Sequence, residues 1–111
     1  MKISYEGIGA VCATFKTNTA ISGHVVKLTT GGTVEECASG ENFIGVAGVP
    51  HNGVCAVQLE GLVELPYSEA APALGYTSVA GDGKGGVLAS GGRRLLVIDV
   101  DETRKTCVIM L

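Results

Sequence analysis

Seventeen of the 111 residues are glycine, and they recur so often that the longest stretch without one is Arg93–Leu111. A glycine inside a helix costs about 1 kcal/mol relative to alanine, and here few windows are long enough to form a helix without one. The spacing therefore selects short extended segments joined by turns. Even the glycine-free stretch lacks helical period: Leu96, Ile98 and Val100 alternate with Val97, Asp99 and Asp101. A polar connection, Glu102-Thr103-Arg104, follows, and Lys105–Leu111 returns as a second apolar run. This pattern predicts a C-terminal hairpin.

Residues 43–65, FIGVAGVPHNGVCAVQLEGLVEL, predict another hairpin. Asn52-Gly53 is the dipeptide that accepts the two positive φ angles of a type I′ turn. Beyond it, Cys55, Val57, Leu59, Gly61, Val63 and Leu65 share one face of an extended chain, with Gly61 as a bend. Further strands are expected over His24–Thr29, Thr33–Cys37, Tyr76–Ala80 and Val87–Ser90, separated by Gly31-Gly32, Ser39-Gly40 and a glycine-rich turn. Ser68–Ala73 is short enough for at most one helical turn, limited by Pro72. The predicted fold is all-β: a small single-domain barrel or sandwich of eight or nine short, mostly antiparallel strands. Residues 20–111 form the domain, and residues 1–19 are an N-terminal arm or first strand.

Charge and composition narrow the classes of function. A net charge of −3 with scattered basic residues disfavours nucleic acid, whose binding needs clustered Lys and Arg. The longest uncharged run, residues 42–59, contains Asn42, Pro50, His51, Asn52 and Gln58 and makes a poor membrane span. No signal peptide is read in MKISYEGIGAVCATFK. Only 17% of residues are charged and 46% are hydrophobic, which suggests that other subunits cover part of the surface. The four cysteines, Cys12, Cys37, Cys55 and Cys107, include no C-x-x-C pair and read as buried reduced thiols.

The candidate chemistry is sparse. Residues 81–86, GDGKGG, satisfy G-x-G-x-x-G, but a dinucleotide site needs a helix after the motif, and VLASGG follows instead. Asp99 and Asp101 share a strand face before a turn, where acids commonly face solvent. His24 heads a strand with Val26 and Leu28 on its face, while His51 sits in the Asn-Gly turn. No G-x-S-x-G sequence occurs, and the expectation is no enzyme, no cofactor and no metal.

Taken in order, residues 23–28 (GHVVKL), 33–37 (TVEEC), 42–47 (NFIGVA), 53–61 (GVCAVQLEG), 75–79 (GYTSV) and 82–87 (DGKGGV) resemble the small capsid-stabilising proteins of tailed phages and prophages, also called head decoration or cement proteins. The resemblance covers residues 22–87. It implies a compact β domain, often trimeric, on the outside of a virion capsid, made in the cytoplasm of a bacterial host and clamping neighbouring subunits of the major capsid protein. The other reading is a non-catalytic β-barrel that holds a ligand or metal at its mouth, with His24, His51 or Asp99 and Asp101 converging. Under the capsid reading, Ile8, Val11 and Phe15 are the expected assembly contacts, because they lack an obvious hairpin mate. Deleting residues 1–19 is then expected to weaken capsid binding and leave the barrel folded.

Overall fold

The computed structural model of the chain describes residues 9–111. Its nine strands are β1 (Val11–Thr17), β2 (Val25–Thr30), β3 (Thr33–Glu36), β4 (Gly45–Ala47), β5 (Val54–Glu60), β6 (Leu62–Ser68), β7 (Gly75–Gly81), β8 (Val87–Asp101) and β9 (Thr106–Met110). No helix occurs among the described residues. The first five strands close a barrel in the order β1-β3-β2-β4-β5, with β5 returning to β1. The other four form a sheet in the order β6-β9-β8-β7. Two pairings are parallel, β1 with β3 and β6 with β8, and the rest are antiparallel.

Both predicted hairpins form. The β4–β5 connection ends in a two-residue turn at Asn52 (φ 52°) and Gly53 (φ 78°), closed by reciprocal backbone hydrogen bonds between His51 and Val54 at 2.8 and 3.1 Å. The β8–β9 turn is held by Asp101, whose Oδ1 accepts the Thr103 and Arg104 N–H groups. Gly61 marks the passage from barrel to sheet. A Cβ there would lie 2.8 Å from the backbone of Gly9 and Ala10, and the Gly61 carbonyl accepts the Leu111 N–H at 2.9 Å.

That passage separates two cores. Cys55 and Val57 of β5 join Val26, Val34 and Ala47 inside the barrel, with Phe15, Ile44 and Leu59 packed against them. Val63, Leu65 and Tyr67 of β6 join Val79, Val97 and Ile109 of the sheet. Val25, Cys37 and Phe43 belong to the sheet's core although they lie on the barrel's side of the chain. Adjacent Val25 and Val26 thus face opposite cores from one strand, as the two-residue side-chain period of a strand requires.

Ser68–Ala73 takes no helical turn, within the expected limit of one: Glu69 has φ 62°, outside the right-handed helical region, and Pro72 removes an N–H. One expectation needs correction. Val87–Ser90 is not a separate strand. β8 runs for fifteen residues through Gly91-Gly92, and its register with β7 jumps from Arg93↔Val79 to Leu88↔Ala80, so residues 89–92 bulge from the ladder. Val11 and Phe15, as expected, have no hairpin mate; they lie in β1, where Val11 pairs with Glu60 and Phe15 with Cys55 of the distant strand β5. Ile8 lies outside the described residues.

Candidate functional site

His24 precedes β2, and its Nδ1 lies 2.5 Å from Oε1 of Glu36 at the end of β3. Gly85 approaches the His24 ring so closely that a Cβ would lie 2.4 Å from its Cγ, and the Gly85 carbonyl accepts the Val25 N–H. The Val25 backbone thus holds the glycine-rich loop to β2, and the His24 ring packs against it. Next to it, Lys27 donates to Glu41 at 2.5 Å and lies 3.3 Å from its cross-strand partner Glu35. The Glu41 carboxylate, with Glu35 second, holds the Lys27 ammonium above its usual value. In return Lys27, together with the Ala38 N–H, holds the Glu41 carboxyl below its own.

The G-x-G-x-x-G loop is organised by Asp82. Its Oδ1 accepts the Lys84 N–H at 2.7 Å and the Gly86 N–H at 3.0 Å, and its Oδ2 accepts the Ser68 hydroxyl at 2.6 Å. With Asp82 only 8% exposed, these bonds compensate its removal from water. The loop's donors thus point at a carboxylate of the protein itself, and the segment that follows is strand β8. The motif is structural in this setting.

The residues expected to converge under the ligand reading lie in different places. Asp99 and Asp101 line an open pocket of about 350 Å³ with Glu64 and Glu102; neither histidine lines it. His51 is exposed at the hairpin tip. Among the described residues, no group of three or more His, Cys, Asp or Glu side chains is arranged to hold a metal ion. The barrel interior is filled by its own side chains.

All four thiols are free. Burial pushes Cys37 up to about 11 and Cys107 up to about 12, and it raises Cys55 as well. None of these three is a nucleophile at neutral pH. Cys12 departs from expectation: it is exposed, because β1 turns it to the outside of the barrel opposite Gln58.

What the exterior offers is apolar contact. Val49 is 77% exposed, and Ile21, Leu28, Leu74 and Tyr76 are about half exposed or more. Leu28 was expected to share a face with buried Val26; the irregular β2–β3 register between Leu28 and Thr30 accompanies its exposure. Sequence reasoning missed the His24–Glu36 and Lys27–Glu41 pairs. The Gly31-Gly32 turn could have placed Lys27 opposite Glu35, but nothing local indicates the other two contacts. No protein-family model matches the chain, and no curated protein matches it.

Proposed function

We propose that this protein is a structural virion component that decorates and stabilises a phage or prophage capsid, acting through its outer surface as a homo-oligomer, with a trimer on the shell. One observation carries the reading: a β domain whose barrel is packed solid displays large apolar side chains outward, with Val49, Leu74 and Tyr76 each about two-thirds exposed or more. Exposed apolar groups on a rigid frame suit docking onto protein surfaces, and a clamp touching several shell subunits needs only modest affinity at each contact. The strand order resembling that of decoration proteins supports the same reading.

The test is co-sedimentation with expanded and unexpanded heads of the phage or prophage from the same host. The expected result is saturable retention on expanded heads and a higher temperature of head disruption. Failure to bind either form, with a thermal shift on adding a divalent cation, would overturn the proposal in favour of a metal-binding module.

A further inference from the structure

The outer face of the second sheet carries three rows of side chains, fixed by the strand register. Val97 of β8 is buried in the core, so its neighbour Leu96 faces outward, opposite Tyr76 on β7 and Met110 on β9. Met110 in turn pairs with Leu62 on β6. This gives one apolar row across four strands, in which Tyr76 is 66% and Met110 37% exposed, Leu96 is half-buried and Leu62, at 8%, is already covered, so the open part of the row lies on β7, β8 and β9. Two residues earlier on β8, exposed Arg94 stands opposite Ser78. On the other side the bulge between Val97 and Asp99 takes up Ile98 and returns exposed Asp99 to the outer face, opposite Val108, which also pairs with Glu64. Along β8 the face thus reads basic, apolar, acidic, with rows about 7 Å apart.

We infer that this face pairs two copies of the chain across a twofold axis lying along the apolar row. Such an axis turns one sheet face onto the other and reverses the strand direction. Tyr76, Leu96 and Met110 then meet their own counterparts, while Arg94 of each copy faces Asp99 of the other. A twofold contact must be self-complementary in this sense. A partner of a single charge would satisfy one row and oppose the other, which is why a second copy fits better than a uniformly charged surface. Face-to-face sheets pack about 10 Å apart with strands near −30°, within reach of an arginine–carboxylate pair at the rim. The contact is separate from any threefold one and does not rest on the capsid reading.

Sedimentation equilibrium of the full chain over a range of concentrations tests it. The expected result is a reversible doubling of mass in multiples of the 11.3 kDa chain. Tyr76→Ser and Arg94→Glu should each weaken the doubling by about tenfold or more, and adding Asp99→Arg to Arg94→Glu should restore it. Both Tyr76 and Arg94 are exposed, so unchanged circular dichroism and melting will verify that the variants fold. No doubling at any concentration, or doubling indifferent to these substitutions, would overturn the inference. A stable trimer unaffected by them would overturn it too while leaving capsid decoration standing. Doubling that responds as expected in a protein that ignores capsids would remove the capsid reading alone.

Discussion

At the scale of single residues, several polar side chains fasten strands and loops together. Asp82 is the strongest case, since one buried carboxylate accepts three hydrogen bonds that bring Ser68 of β6 to the loop before β8. Asp82→Ala strands two backbone donors and a hydroxyl. The expected cost is about 2–3 kcal/mol, seen as a lower urea midpoint with unchanged slope. Asp82→Asn retains an oxygen for the two N–H groups and presents an amide that Ser68 can accept, so its loss should be less than half as large. The Lys27–Glu41 pair carries a pH signature. Glu41 is held below its usual 4.5, so its contribution is present above that value and is lost as pH falls through the lowered one. Lys27 is held above its usual 10.5, so its contribution is present below that value and is lost as pH rises through the raised one. Between those limits wild type should be more stable than Glu41→Gln, and the gap between their denaturant midpoints should close at the acid end. Thiol reactivity gives a third readout. Iodoacetamide at neutral pH should label the native protein once, at exposed Cys12, and Cys37, Cys55 and Cys107 only after unfolding.

At the scale of elements, what was legible in the sequence is what is local. The Asn52-Gly53 turn, the alternation of Cys55, Val57, Val63 and Leu65 and the C-terminal hairpin are written within a few residues of where they act. The pairing of β1 with β5 is not, because its two strands lie far apart in the chain and only tertiary packing selects the register. Nor could β8 be read correctly. Gly91-Gly92 looks like a break, yet the strand runs through it because β7 follows on both sides of the bulge. The His24–Glu36 contact was hidden for a related reason: it links residues from two different strands' ends, where no short motif exists to find. Gly92 tests the account of β8. Its φ is 65°, and a Cβ would lie 2.1 Å from the Val79 carbonyl oxygen. Gly92→Ala must therefore move β7 away from β8 or alter the bulge, at an expected cost of about 3 kcal/mol. Gly91→Ala meets nothing within 4 Å and should cost less, through its positive φ alone. Thermal melts of the two variants compare them directly, and equal losses would contradict the bulge geometry.

At the scale of the whole molecule, barrel and sheet share packing. Val25, Cys37 and Phe43 leave the barrel's side to join the sheet's core, so damage to one half should reach the other. Truncation from the N-terminus examines this and the capsid reading together. Removing residues 1–19 deletes all of β1, which stands between β3 and β5 and closes the barrel. It uncovers the edges of both neighbours, strips Phe15 from the barrel core and removes Thr17 Oγ1, which accepts the Ala20 N–H at 2.9 Å. Full burial of a phenylalanine is worth about 1.5–3 kcal/mol and half-buried Phe15 contributes only part of that, out of a total stability on the order of 5–15 kcal/mol for a domain. With the edges unpaired as well, this truncation is expected to abolish cooperative unfolding, contrary to the sequence-based expectation that the barrel survives it. Removing residues 1–8 alone retains every strand named above, and its thermal melt serves as the control for the fold. If Ile8 contributes to capsid contact, as the sequence reading expects, this shorter truncation should reduce retention on expanded heads under conditions where its melt shows a folded domain. Undiminished retention would place the capsid-binding surface on the barrel and sheet, where the exposed apolar side chains of Val49, Leu74 and Tyr76 are the next to replace.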